Sequence, residues 1–325
     1  RTQASIHSFD LILDYYCAHK NYKKVMGRLD LTNIQNYSLM YEKGIFRLKR
    51  LKFWEDSRIT RRYSKFISSM SSNQEEKVRQ YFDSIAEAYN SRFTKKKPFH
   101  CYFYKERLNL ATKGIDFTGK LILDIGAGTG NLYDFLVANF SDFQYYPCDI
   151  SLKMLLQSKI PDGKKIVGQA FEINFQQEEF DYIFLLGVTS YMSEEDLIKT
   201  MEFISTHLSP NGQAIISFAN KSSFDYYLRK LMMPFLKLLG RKEGVLVQSF
   251  DTYYGQINQL KSQWSSKFEF NNVIWFNHNF TILNKLAPKF SVWLAKWISK
   301  NLPNSKLKEW FSADFLIFIQ PKVNS

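Results

Sequence analysis

From residue 75 onward the apolar positions alternate between two periods. Val78, Tyr81, Phe82, Ile85, Ala86 and Tyr89 recur at helical spacing and predict an amphipathic helix over 75–90. The run Leu-Ile-Leu-Asp-Ile at 121–125 is short, apolar and closed by glycines, the pattern of a strand buried on both faces. A helix over 131–140, a strand over 144–148, a helix over 151–158 and a strand over 165–168 follow. A fourth strand over 180–187 leads to a helix over 194–208, with Ser193 as its cap and the acids Glu194, Glu195 and Asp196 in its first turn. The turn Pro210-Asn211-Gly212 precedes a fifth strand over 213–219, and strands over 270–276 and 314–320 close the chain. Strands separated by helices of this size predict an α/β fold, a Rossmann-like doubly wound and mostly parallel seven-stranded sheet.

The ends have a different character. Residues 1–66 read as helical without a motif, and SSMSSNQEE at 68–76 reads as a polar linker. The expected division is a helical basic extension with linker over 1–70 and the α/β domain over 71–325. That domain carries lid-like helical insertions at about 221–265 and 277–313. In the first insertion, Phe224, Tyr227, Leu228 and Leu231 begin one helical face over 222–239, with Pro234 predicting a kink. In the second, Phe290, Trp293, Leu294, Trp297 and Ile298 recur at helical spacing over 287–310, with Lys289, Lys296 and Lys300 between them. Such helices suit a lid over a ligand pocket, contact with an anionic membrane surface, or a protein partner.

Composition narrows the class. Of the 325 residues 45% are hydrophobic and 17% aromatic, which provides a core and excludes a largely disordered chain. The net charge of +13 is uneven. Residues 1–66 carry 14 Lys/Arg against 6 acids, residues 221–325 carry 15 against 6, and residues 67–220 carry 15 against 19. The basic flanks suit an anionic partner, whereas the middle is mildly acidic. Three scattered cysteines, Cys17, Cys101 and Cys148, fit a reducing compartment and no disulfide framework. With no long apolar run and no signal-peptide pattern at 1–10, the expected location is cytoplasmic, with peripheral membrane contact as an option. The five histidines show no metal-ligand spacing, so no metal is expected.

The richest chemistry lies at 123–131, LDIGAGTGN, where a strand gives way to a helix. Glycines at 126, 128 and 130 remove the side chains that would hold a ligand off the backbone. Asp149 lies 19 residues beyond Gly130, at the end of the second strand, where a carboxylate can accept from both hydroxyls of a ribose. The spacing is G-x-G-x-G, not the G-x-G-x-x-G that cradles a dinucleotide pyrophosphate.

Over about residues 75–220 these stretches resemble the class I S-adenosylmethionine-dependent methyltransferases. LDIGAGTGN resembles the family's first motif, and CDIS at 148–151 with Lys153, Met154 and Leu155 resembles its second. FDYIFLLGV at 180–188, LSPNGQAIIS at 208–217 and YFDSIAEAYN at 81–90 are similar to its fourth strand, its turn into the fifth, and its cofactor-covering helix. The resemblance implies S-adenosyl-L-methionine as cofactor. Asp124 would orient the glycine loop or meet the cofactor's amino group, Asp149 would hold the ribose, and Tyr89 would lie near the methionine end. Ile150, Gln169 and Ala170 would flank the adenine, with Ala127, Asn131 and Leu186 also in the binding site. Many members place an acid where this chain has Gln169, whose carbonyl can still accept the adenine amino group's hydrogen bond.

For the transfer itself, His278 after the sixth strand is the candidate base, with a surface-loop histidine as the plain alternative. His100, in the aromatic run Phe99, Tyr102, Phe103 and Tyr104, and Tyr191, after the fourth strand, are further candidates for which packing is the simpler role. Nucleic-acid and glutamine N-methylating relatives often carry Asn-Pro-Pro-aromatic after the fourth strand, and Gly187-Val188-Thr189-Ser190 stands there instead. That favours methylation of an oxygen on a small or lipid-linked metabolite over an RNA methyltransferase docked through the basic flanks, with nucleic acid the less expected partner. A non-catalytic module that merely binds the cofactor is the third reading.

Overall fold

The computed structural model describes residues 73–93, 97–175, 179–238, 252–278 and 281–322. The helical reading of 1–66 and the first part of the linker therefore lie outside the described residues. Helices α1 (Asn73–Tyr89) and α2 (Pro98–Thr112) precede the sheet. Then come β1 (Leu121–Ile125), α3 (Asn131–Asn139), β2 (Gln144–Asp149), α4 (Leu152–Leu156), β3 (Ile166–Val167) and β4 (Phe180–Leu185). Helix α5 (Glu194–His207) leads to β5 (Leu208–Ala219), α6 (Phe224–Leu238), α7 (Ile257–Trp264) and β6 (Phe268–Phe276). The chain closes with α8 (Thr281–Leu286), α9 (Pro288–Asn301), α10 (Lys306–Phe311) and β7 (Asp314–Pro321).

The seven strands form one sheet in the order β3-β2-β1-β4-β5-β7-β6. Strands β1 to β5 pair in parallel, and β7 runs antiparallel between β5 and β6. Helices cover both faces, which explains the unbroken apolar character of the central strands. Leu123, Ile183 and Ile216 pack under Leu197 and Met201 of α5 and Trp264 of α7. Their neighbours Ile122, Phe184 and Ile215 turn to the other face, under Ala111 of α2 and Leu132 and Leu136 of α3.

Three expectations need correction. Helix α1 begins at Asn73, so the end of the polar stretch is helical, with Glu75 and Glu76 favourably placed in its first turn. The Pro210-Asn211-Gly212 segment is no separate turn. It lies inside β5, where pairing jumps from Phe180–Leu208 to Tyr182–Gln213, and the surplus residues form a bulge. The helix expected over 222–239 is present as Phe224–Leu238, with Pro234 inside it. The stretch 287–310 is two helices, because the chain leaves the helix after Asn301 and restarts at Lys306.

The faces of α9 also differ from expectation. Ser291, Ala295 and Ile298 are its buried side, and the helix packs on α2. Phe290, Trp293 and Trp297 point outward, Trp293 being 57% exposed. No helix among the described residues is long and apolar enough to cross a membrane.

Candidate functional site

The strand order reverses beside β1, whose neighbours β2 and β4 are reached by crossovers leading in opposite directions. At such a switch point the carboxyl ends of the strands leave a crevice. A cleft opens there, lined by residues of α1, α2 and the loops that follow β1, β2, β3 and β4.

Its floor is the turn after β1. The N–H groups of Gly126 and Ala127 donate to the Cys148 carbonyl at 2.7 and 3.0 Å, tying the turn to β2. The Gly128 N–H donates to Oδ2 of Asp149 at 2.8 Å, and the Ser151 N–H to its Oδ1 at 2.7 Å. Two backbone donors thus fix the carboxylate plane and leave lone pairs for a ligand. Burial raises the Asp149 pKa to about 6, against the lowering effect of these donors.

The three glycines answer to different neighbours. All have φ between +54° and +75°, a region that favours glycine. A Cβ on Gly126 would lie 2.2 Å from Cγ2 of Val188, and one on Gly130 would lie 2.8 Å from Cβ of Ser158. Those two make room for the protein itself. Gly128 alone has space, its nearest atoms being Met154 Cε at 3.5 Å, the Gly126 carbonyl oxygen at 3.9 Å and Asp149 Oδ2 at 4.0 Å. Gly130 caps α3 and does not line the cleft.

Helix α1 forms the roof. Ser151 Oγ donates to Asp83 at 2.6 Å, Gln74 Nε2 to the Tyr191 carbonyl at 3.3 Å, and Gln169 Nε2 to Glu75 at 2.8 Å. Burial, reinforced by Glu172, raises the Glu75 pKa to about 7. The Tyr89 and Tyr104 hydroxyls meet at 3.4 Å, and the Phe82 ring stands edge-on to Tyr191 with centroids 4.9 Å apart. On the floor, Asp124 accepts a hydrogen bond from Tyr145, and burial raises its pKa to about 7.

The cleft brings together Tyr89, Asp124, Gly126, Ala127, Gly128 and Asn131. Asp149, Ile150, Gln169, Ala170 and Leu186 line it as well, and so does Tyr191. His278 does not. It is fully buried, with Nδ1 at 3.1 Å from Ser312 Oγ, and the Ser312 hydroxyl itself donates to the Lys308 carbonyl. Burial, with Lys308 nearby, lowers its pKa to about 4, so it is a neutral ring enclosed away from the cleft. His100 is an exposed residue in the first turn of α2 and does not line the cleft. The described parts of the insertions at 221–265 and 277–313 contribute no wall, because α1 and α2 occupy that side.

Three functional neighbours went unread in the sequence. Glu75 was only the start of a helix, and Val188 only the end of a strand. Arg107 had one signal, since Phe103, Tyr104 and Arg107 at i, i+1 and i+4 place two aromatic rings beside a cation on one helical surface.

The residues suit S-adenosylmethionine on three counts. The oriented Asp149 carboxylate suits ribose hydroxyls, Gly128 lets a ligand approach the backbone, and Gln169 keeps a carbonyl for an adenine amino group. No cluster of metal-ligating side chains occurs among the described residues.

Comparison with known proteins agrees. Residues 123–214 match the model of a methyltransferase domain. An uncharacterized protein of Rickettsia prowazekii (strain Madrid E) is 32% identical over 156 residues, 43% of this chain and 55% of that protein. The chain thus spans about half the length of the curated relative it matches. Among solved structures, a chain from the Haloferax volcanii complex of the Trm112 methyltransferase activator with a methyltransferase aligns at TM-score 0.50 and 14% identity, covering 76% of this chain and 99% of that one. A SAM-dependent methyltransferase of Thermotoga maritima aligns at TM-score 0.50 and 12% identity, covering 75% and 99%. These two share the fold. The segment that carries the glycine loop, Asp149 and the turn after β4 is the one the methyltransferase-domain model matches.

Proposed function

We propose that this chain binds S-adenosylmethionine in the cleft and moves its methyl group to an oxygen of a small or lipid-linked metabolite. The carrying observation is the Asp149 carboxylate, held at the end of β2 by the N–H groups of Gly128 and Ser151. In this reading Asp149 accepts from the ribose hydroxyls, while Ile150 and Ala170 flank the adenine. Gln169, its nitrogen engaged by Glu75, offers its oxygen to the adenine amino group. Asp124 and Gly126 stand at the amino-acid end, under Tyr89.

When bound, the cofactor supplies an electrophilic methyl on a sulfonium. The acceptor oxygen must be held about 3 Å from that carbon and in line with the departing sulfur. Tyr89, Tyr104 and Tyr191 give the cleft an aromatic wall that excludes water and orients an acceptor. Burial pushes the Tyr89 hydroxyl well above its ordinary range, so it serves as a neutral hydrogen-bonding group and not as a base. Positioning is the chain's main contribution.

A lipid-linked acceptor draws support from α9. Phe290, Trp293 and Trp297 form an exposed stripe at i, i+3 and i+7, flanked by Lys289, Lys296 and Lys300. Aromatic side chains beside lysines suit the headgroup region of an anionic membrane. Incubation with methyl-labelled cofactor and separated lipid, metabolite and RNA fractions tests the proposal by mass analysis. Label on an oxygen in the lipid or metabolite fraction is expected. Label in RNA would replace the acceptor, and tight cofactor binding with no labelled product would favour the binding-module reading.

A further inference from the structure

Away from the cleft, helices α6 and α10 share an exposed apolar surface. Phe224, Tyr227 and Leu231 stand on α6 at i, i+3 and i+7, and Leu307 and Trp310 stand on α10 at i and i+3; Leu231 is 68% exposed. The two rows meet, because the Trp310 ring stacks on Tyr227 with centroids 5.5 Å apart and lies 6.1 Å from Phe224. Large apolar side chains grouped in the open mark a surface made for contact.

The mounting of this surface fixes its place. Asn220, directly after β5, is buried and donates Nδ2 to the carbonyls of Glu309 and Ser312, both at 2.9 Å. Its N–H donates to the Ala313 carbonyl at 2.8 Å, beside the Ala219–Asp314 pair that joins β5 to β7. The end of α10 and the start of α6 are thereby clamped together at the carboxyl end of β5. Strands β1, β2, β4 and β5 run parallel, so this is the edge of the sheet at which the cleft opens.

Charge selects the occupant. Lys221, Lys230 and Lys306, on or just before these helices, are exposed. The acids of the same helices are withdrawn: Asp225 is buried and paired with Arg229, and Glu309 is half-buried. Protein interfaces are depleted in lysine. An anionic bilayer instead takes aromatic rings and leucines at the headgroup boundary and ammonium groups at its phosphates.

We infer that the α6–α10 surface is a contact for an anionic bilayer, separate from the α9 stripe, which sets the cleft-bearing edge of the sheet beside the lipid. Its purpose rests on the lipid-linked reading above, but the contact is measured without cofactor or acceptor.

The test sediments the full chain with vesicles of phosphatidylcholine, with and without phosphatidylglycerol. Wild type is expected to partition to the anionic vesicles and to release as salt is added. Leu231→Ser with Trp310→Ser should weaken partitioning roughly tenfold, the scale of two partly buried apolar side chains. Lys230→Glu with Lys306→Glu leaves the apolar contacts in place, covers the case in which the first pair disturbs the fold, and should also cost roughly tenfold on anionic vesicles. Bromine-labelled lipid should quench a smaller share of the tryptophan fluorescence in Trp310→Phe than in wild type. Either pair sedimenting as wild type does, or quenching that ignores Trp310→Phe, overturns the inference. So does a wild-type dimer in solution that the Leu231→Ser and Trp310→Ser pair dissociates. Vesicle binding that depends on these residues, together with methyl label found only in RNA, would remove the lipid-linked acceptor and leave the contact standing.

Discussion

Gln169, beyond the end of β3, donates its side-chain amide to Glu75 of α1 at 2.8 Å, joining positions 94 residues apart. The bond closes the roof over the part of the cleft assigned to adenine. It also sets the Gln169 amide so that its oxygen, not its nitrogen, is available to a ligand. Glu75→Ala is expected to weaken S-adenosylhomocysteine by about 1–2 kcal/mol, the scale of one lost hydrogen bond with a charged partner. Calorimetry measures the affinity, and faster protease cleavage around α1 reports a loosened roof.

Asp149→Ala is expected to weaken the cofactor by about 1.5–3 kcal/mol. The wild-type pH dependence follows from a pKa raised to about 6. Ribose hydroxyls are bound by the ionised form, so affinity rises from pH 5 through 6 and then levels. Without ligand the sign is opposite. The folded state holds a proton that the unfolded chain releases near pH 4, so Asp149 lowers apo stability as pH rises through that window. Titrations between pH 5 and 7.5 check the affinity, and Asp149→Asn should flatten its dependence on this group.

Gly126→Ala meets two obstacles, a φ of +75° and the Val188 side chain. The expected loss is about 2–4 kcal/mol from left-handed strain and overpacking together. Adding Val188→Ala should recover the packing part only. Denaturant unfolding of both variants measures the two contributions.

His278 makes a separate acid-sensitive contribution. Its folded pKa, about 4, lies below the ordinary 6.5, so protonation favours the unfolded chain. Stability is expected to fall as pH drops from 6.5 towards 4, and His278→Gln should make that fall shallower. The pH profile of methyl transfer should not move, because the ring lies outside the cleft. A lost acidic limb in the variant's rate profile would restore His278 as a base.

Trp293→Ser with Trp297→Ser should reduce binding to vesicles rich in anionic phospholipid, and added salt should weaken the wild-type interaction through the neighbouring lysines. Sedimentation with vesicles of phosphatidylglycerol and phosphatidylcholine measures both effects. Equal sedimentation of variant and wild type would reject the membrane assignment.

The parts legible in the sequence are those fixed by short-range pattern. Leu121–Ile125, the glycine turn and Asp149 follow one another along a strand, a turn and the next strand, so spacing alone places them. What packs over them was not legible. Arg107 and Glu75 reach the cleft because α1 and α2 fold across it, and no local period records that contact. Val188 shows the same limit, since its pressure on Gly126 depends on two neighbouring strands ending at the same height. His278 misled because a histidine after a strand looks exposed until Ser312 and Lys308 are brought around it.

The seating of α1 has a thermodynamic consequence. Three of its side-chain links, Gln74 to Tyr191, Glu75 to Gln169 and Asp83 to Ser151, end on segments that line or border the cleft. Whatever favours the docked helix must then tighten the ligand by the same factor that the ligand tightens the helix. The entrance to the α/β domain is in that sense a handle, and a load applied to the chain just ahead of Asn73 would be felt as a change in cofactor dissociation constant.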